Sequence, residues 1–368
     1  MLNGLPAGLE LDDQFINAEL RRRQGGYGRG GRMKIETDAV TWLSGVRLGR
    51  TMGSPLVLQV PNKDSRLDDL ERTPPIHRPR PGHADLSGAI KWLSDDCRNT
   101  LERASARETA ARTAGGAVAR CLLRSFGIEV FGFVRGMLDV VSDVQVDAAN
   151  VDAMRERRDA SDVYCPDEAA SESIRAHIRK AKEDKDTVGG LCEVHVFGCP
   201  IGLGSCMHWD DKLDSRLAAA VMGIQAFKSV EIGMGKDVAF HVGSQVHDAI
   251  EFDSALRSEP CVGFTRPRNN AGGLEGGMTD GMPVVVRGAM KPISTLLQGM
   301  PSVNLQTKEP ERSDYERSDV CALSAASVVM ENVVGFEVAR AFLEKFGGDT
   351  MAEVEASYRS YLELAREL

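Results

Sequence analysis

Apolar positions along the chain follow two rhythms. Leu86–Leu123, Ser171–Asp184, Lys212–Ala226 and Ala322–Phe346 are rich in good helix formers with apolar residues at helical spacing, and they predict four helical blocks. The first is long enough for one helix or two joined ones, with Asp85 placed to cap its start and Gly127 to stop it. Val40–Val46, Leu56–Val60, Ile128–Val134, Cys192–Gly198, Lys228–Ile232 and Met282–Arg287 are short, β-branched runs bounded by Gly, Pro or Asn, and they predict strands. No internal repeat and no long Pro/Ser-rich linker interrupts the alternation. The expectation is a single domain over residues 1–368 of α+β class, built as a layered sandwich.

Composition narrows the function. With 42% hydrophobic and 27% charged residues, the 368-residue chain can bury a substantial core. A net charge of −9 with acids spread throughout argues against a general nucleic-acid-binding surface, which needs an extended basic footprint. Against that background Arg21–Met33, RRRQGGYGRGGRM, packs five arginines and five glycines together. Glycines let backbone approach a ligand closely, and guanidinium groups grip phosphate or carboxylate oxygens in pairs, so a small, multiply charged anion is the first hypothesis. The competing reading is a solvated basic loop or an RNA-binding arginine-glycine segment. The eight cysteines are scattered without zinc-type spacing, which points to reduced, mostly buried thiols and no metal centre. No apolar run reaches the length of a membrane span and the start lacks the order of a secretory signal, so a cytoplasmic protein is expected.

Several short motifs carry candidate chemistry. Arg78–Asp85, RPRPGHAD, sets His83 in a Pro/Gly frame beside Arg78 and Arg80 just before the long helical block, where an imidazole could handle protons next to an anion. Glu102–Thr109, ERASARET, adds Arg103, Ser105 and Arg107; either Glu102 and Glu108 pair with these arginines on a helix surface, or the arginines face an anion. Lys291–Thr295, KPIST, offers an ammonium and two hydroxyls after a strand. Arg317–Asp319, RSD, opens the last helical block, either as a local ion pair with Asp319 as cap or as part of a polar-ligand site. The glycine stretches do not make a dinucleotide-binding turn: Gly28, Gly30 and Gly31 lack the GxGxxG spacing, and Gly272–Gly277 has no helix after it and reads as a tight turn.

Together these segments resemble one family, chorismate synthase. RRRQGGYGRGGRMKIE, RPRPGHADLSG, ERASARETAAR, GLGSCMHWDDKLDSRLA, VEIGMG, NNAGGLEGGMTDG, AMKPISTL and ERSDVCALSAA stand in the order that family shows and span nearly the whole chain. The resemblance implies a lyase converting 5-enolpyruvylshikimate 3-phosphate into chorismate by 1,4-elimination of phosphate, with reduced FMN and no net redox change. It also implies long helices between antiparallel sheets, a homotetramer, and NADPH only as an indirect reductant, because no appended reductase domain is evident. Arg23 and Arg29 match the paired arginines of the substrate and NADP-associated site, and Arg80 and Arg107 match further anion-contacting positions. Arg103, Ala104, Ser105, Gln225, Ala226, Gly276, Lys291, Pro292, Ile293, Ser294, Thr295 and Arg317 match positions that contact FMN. Asp319 matches the carboxylate that helps deprotonate flavin N5, and His83 the histidine near flavin N1.

One departure sets an alternative. Family members begin with a strand and a GESHG-type segment whose histidine faces the leaving phosphate, whereas this chain opens at MLNGLPAGLELDD, aligned just after it. No residue here takes that role by motif; His77, His177, His195, His208, His241 and His247 sit elsewhere in the pattern. The expectation is a start that omits part of the natural chain, and the alternative is a catalytically impaired homo-oligomer that still binds FMN and substrate.

Overall fold

Two helices with small residues along their facing sides form the centre of the molecule. The computed structural model describes residues 1–30, 37–62, 68–313 and 318–368. Its helices are α1 (Asp13–Gln24), α2 (Asp85–Lys91), α3 (Arg98–Arg103), α4 (Thr109–Arg124), α5 (Val151–Ala160), α6 (Glu168–Glu183), α7 (Leu213–Met222), the single turn α8 (Gly243–Val246), α9 (Leu323–Lys345) and α10 (Met351–Ala365). α4 lies along α9, closely enough that a Cβ on Gly116 would meet the Asn332 carbonyl oxygen at 2.2 Å. Glycine is therefore dictated there by helix–helix approach rather than by backbone conformation.

A five-stranded antiparallel sheet covers α9. Its spatial order is Val140–Val141, Glu129–Met137, Gly190–Phe197, Val284–Met290, Phe227–Ile232. Register pairs Gly132 with Val194, and Val286 with both Val194 and Ile232, so Val130, Val134, Val194, Val196, Val284 and Val286 line one buried face. These are near-continuous apolar runs because Phe131, Phe133 and Phe197 on the other face are also covered, by Val151 and Met154 of α5. On the helical layer's other flank, the antiparallel pair Thr41–Ser44 and Val57–Gln59 packs through Leu58 on Leu20 of α1 and Ala110 and Ala114 of α4. The architecture is α+β with helices layered between antiparallel strands, as expected.

The predicted strands all form, within a few residues at their ends. Of the helical blocks, Leu86–Leu123 does not form one helix or two joined ones but breaks into α2, α3, a 3-10 turn at Ala106–Glu108, and α4. Leu93 turns left-handed at φ 54°, Asp96 takes the N–H groups of Ile76 and Arg98, and Ser105 is extended with its hydroxyl accepting from Arg107. Ser and Asp thus compete with the helix for its own backbone donors. Asp85 is the first residue of α2 and makes no cap; Gly127, at φ 71°, does follow the end of α4. Four helices of the described residues lie outside the predicted blocks: α1, α5, the single turn α8 and α10. The last starts with a reciprocal Thr350–Glu353 capping box, a signal present in the sequence.

Candidate active site

From Gly25 to Gly30 the glycine-rich run that follows α1 is a folded turn, not a solvated arm. Gly26 and Gly28 have φ of 107° and 88°, and a Cβ at either would strike Ser324 or Ile178 at 2.6 and 2.8 Å. Only glycine lets the chain pass this close to the start of α9. Val320 donates its N–H to the Gly28 carbonyl at 3.0 Å, and Tyr27 donates to the Asp162 carbonyl at 2.7 Å. The turn delivers Arg29 to Asp319: Nη1 lies 2.7 Å from Oδ2, and the Gly30 N–H donates to Oδ1 at 2.6 Å. Asp319 therefore serves neither as a helix cap nor as a purely local ion pair, and α9 begins at Leu323.

These groups border a cavity of about 940 Å³. Its apolar floor is the Ala322, Ala325, Ala326 and Val329 stripe of α9, spaced as one helical face. Its polar walls come from the end of α1, the loop before α2, the α3–α4 connection, and the segment after the Val284–Met290 strand. The volume lies within the range of small-molecule sites.

The arginines of the walls are held by buried carboxylates. Arg107 Nη1 donates to both oxygens of Asp38 at 2.8 and 2.9 Å, Arg23 Nη1 reaches the same carboxylate at 3.4 Å, and Arg23 Nε donates to Thr109 Oγ1 at 3.1 Å. Arg107 Nη2 donates to the Pro61 carbonyl at 2.7 Å, and the Asp38 N–H donates to Gln24 Oε1 at 3.0 Å. Glu102 and Glu108, the acids expected beside Arg103 and Arg107, instead pair with Arg98 and Arg112. Arg80 grips Asp85 with its backbone N–H, Nε and Nη2, and donates from Nη1 to Thr295 Oγ1 at 2.9 Å. Burial opposes the Asp85 charge, but hydrogen bonds from His83 and Arg80 and their nearby charges hold its carboxyl well below the usual range.

The opposite wall is built on an unusual backbone. Ala226 is left-handed at φ 69°, a conformation that costs a non-glycine residue about 1 kcal/mol, and its carbonyl accepts the Lys291 N–H at 2.9 Å. Lys291 Nζ donates to the Gly82 carbonyl at 2.7 Å, joining the KPIST segment to the His83 loop. Burial, with Lys228 nearby, lowers the Lys291 pKa. Gln225 Nε2 donates to Glu108 Oε1 at 2.6 Å, while its Oε1 is buried without a hydrogen-bond partner.

Comparison with known proteins settles the relationship. Residues 1–343 match the family model described as chorismate synthase. Chorismate synthase of Geobacter sulfurreducens is 52% identical over 377 residues, covering 100% of this chain and 95% of that protein. Those of Desulforamulus reducens and Bacillus cereus are 49% and 48% identical, with 100% of this chain covered and 96% and 95% of theirs. A crystal structure of chorismate synthase superposes with a TM-score of 0.79 at 38% identity, covering 100% of this chain and 93% of that one. The chain belongs to the chorismate synthase family.

The residues matched to that family by motif mostly converge on the cavity. Arg23, Arg29, Arg80, His83, Ala104, Ser105, Arg107, Gln225, Ala226, Lys291, Ile293, Ser294, Thr295 and Asp319 all line it, and His83 is the only histidine among the described residues that does. Arg103 and Pro292 are exposed and outside the lining, each turned away by the local backbone although its neighbours face inward. Gly276 is also outside, in the exposed turn joining Leu274–Glu275 to Met278–Thr279, which bears out the tight-turn reading of that glycine stretch. Arg317 lies outside the described residues. Sequence reasoning missed Asp38, whose partner Arg107 is 69 positions away, and gave Asp85 a capping role although it stands two residues from His83.

Proposed function

We propose that the cavity binds 5-enolpyruvylshikimate 3-phosphate beside reduced FMN and eliminates phosphate to give chorismate. The observation that carries this reading is the convergence of four arginines, a histidine and a carboxylate from distant segments onto one apolar-floored cavity in a member of the chorismate synthase family. A substrate with one phosphate and two carboxylates needs several guanidiniums, and Arg23, Arg29, Arg80 and Arg107 supply them.

The walls also fit a flavin. The stripe of α9 with Ile224, Met290 and Ile293 offers apolar surface to a planar ring, and the orphaned Gln225 Oε1 is an acceptor suited to a ring N–H. Ala104, Ser105, Ala226, Lys291, Ser294 and Thr295 complete the set that would hold it. Bound reduced flavin supplies electron density to an electron-poor allylic centre without net oxidation. His83 and Asp319 are the two proton-handling groups, fixed by Asp85 and by Arg29 with Gly30. Both side chains are largely covered, each 19% exposed, which strengthens their electrostatic interactions relative to bulk water.

We infer further that the enzyme works as one domain in a cytoplasmic homotetramer and receives its flavin already reduced, with NADPH serving only as an indirect reductant. The experiment is anaerobic turnover: chorismate formation by this chain from the phosphorylated enol ether with chemically reduced FMN. Absence of product from this chain and from one extended at its N-terminus, despite flavin binding, would favour the impaired binder instead.

A further inference from the structure

The proposed function gives His83 a proton-handling role, and the inference that follows rests on that reading. Behind the imidazole sits Asp85, with no exposed surface. Its Oδ2 accepts the backbone N–H of Arg80 at 3.1 Å and Arg80 Nε at 2.8 Å, and its Oδ1 accepts Arg80 Nη2 at 3.1 Å. The same Oδ1 lies 2.5 Å from His83 Nδ1.

A bare ring nitrogen and a carboxylate oxygen both present lone pairs and would repel at that separation, so a hydrogen stands between them. With three arginine donors already on the carboxylate, that hydrogen belongs to Nδ1. Arg80 Nη2 lies 3.0 Å from Nδ1 and 3.4 Å from Nε2, too evenly placed to be in line with either lone pair, and an arginine offers no acceptor that could hold an Nε2–H. Arg80 is itself braced across the cavity wall by Thr295.

We propose that Asp85 is a positioning residue: held by Arg80, it fixes His83 as the Nδ1–H form and leaves Nε2 as the atom that takes or gives the proton in the cavity. Which nitrogen carries the hydrogen is set by the partner of the other, and the wrong tautomer presents a donor where an acceptor is needed.

Asp85→Asn separates this from a packing role. The amide has a single acceptor oxygen, which the Arg80 backbone N–H and Nε would claim; its NH2 then faces Nδ1 and demands a lone pair there. The tautomer should invert. Protein carrying 15N-histidine, studied by solid-state 15N NMR above neutral pH, reports the form directly, with the His83 signals identified by their loss in His83→Gln. The expected result is Nδ1–H in the wild type and Nε2–H in Asp85→Asn, with kcat lowered by about 10²–10⁴-fold and KM changed by no more than about threefold. A wild-type ring protonated at Nε2 overturns the proposal, and this arm decides the matter alone should the variant not fold. In a folded variant, a lost kcat with the tautomer unchanged, or an inverted tautomer with kcat retained, also overturns it. The expected tautomer with no chorismate formation, either by this chain or by one extended at its N-terminus, would instead sink the functional reading.

Discussion

Replacing Asp38 by asparagine should weaken the fold and at the same time strengthen the grip on anions. Asp38 is 3% exposed and stands behind the cavity wall, with two short contacts to Arg107 and a longer one to Arg23. Breaking a buried pair by removing one charge costs about 3–5 kcal/mol. Asparagine keeps one acceptor and the Arg107 side chain is 18% exposed, so the lower end, about 3 kcal/mol, applies. An unfolding entropy of about 2.1 cal/mol/K per residue over 368 residues gives about 0.8 kcal/mol/K, and hence a fall in Tm of about 4 °C. The same change removes a negative charge that pairs with two cavity arginines, so inorganic phosphate should raise the Tm of the variant more than that of the wild type. Differential scanning calorimetry with and without phosphate reads both effects. A fall in Tm under about 1 °C, or a smaller phosphate shift in Asp38→Asn than in the wild type, would refute the reasoning.

Three further outcomes follow from the geometry. Asp319→Asn and His83→Gln should each lower anaerobic turnover by about 10²–10⁴-fold while flavin titration shows binding retained; unchanged turnover in both removes their assigned roles. Gly116→Ala should cost about 1–3 kcal/mol or more in thermal unfolding, because its methyl group meets Asn332 backbone at 2.2 Å, whereas Gly115→Ala, with only a Leu2 methyl at 3.4 Å, should be neutral or stabilising through helix propensity. Glu193 is pushed up by burial but held down to about 2 by the hydrogen bond and charge of His195, then by Arg287 and Arg135. A depressed carboxylate stabilises the fold above its unfolded value of 4.5, and that contribution, about 3 kcal/mol, drains away as pH falls from there toward 2. Acid titration of Glu193→Gln should accordingly show a flatter loss of stability over that window than the wild type.

What the sequence made legible depended on how local the cause was. The strands were visible because their β-branched runs are bounded by breakers a few residues away. α9 was visible because its apolar and small residues recur over 23 positions. The division of Leu86–Leu123 was not, since it is made by side chains of Ser105 and Asp96 that turn back on the backbone while leaving the apolar spacing intact. The motifs located most of the cavity wall, but motif membership says nothing about direction, which is why Arg103 and Pro292 are exposed while Ala104 and Ile293 line the cavity. Arg21–Arg23 read as the start of a loop because the three charges hide the last turn of α1, whose N-cap, Asp12, lies nine residues upstream of Arg21.

That last turn shows how an acidic chain makes a cationic cavity. Successive helical residues point about 100° apart, so Arg21, Arg22 and Arg23 leave α1 in three directions. Arg21 is exposed, Arg22 turns into the core and Arg23 reaches the cavity. In the core Arg22 meets Glu19 at 2.6 Å and Glu331 at 3.0 Å. Arg120 of α4 reaches the same two acids at 2.8 and 2.9 Å, and Arg158 of α5 approaches Glu331 at 3.3 Å. Burial works against the Glu19 charge, yet Arg22 and Arg120, with a hydrogen bond from Asn332, hold its carboxyl far below the usual range. With Arg22 fixed on α9, α1 cannot rotate without stranding a buried charge, and so Arg23, one residue on, is aimed. α9 answers with two faces of its own: Ala322, Ala325, Ala326 and Val329 toward the cavity, and Glu331 and Asn332 toward the ionic cluster. Three acids at or behind the cavity wall, Asp38, Asp85 and Asp319, play the same part at closer range, each orienting a guanidinium. The net charge of −9 and the arginine-rich walls are therefore compatible, because acidic side chains build the supports that hold the cations in place.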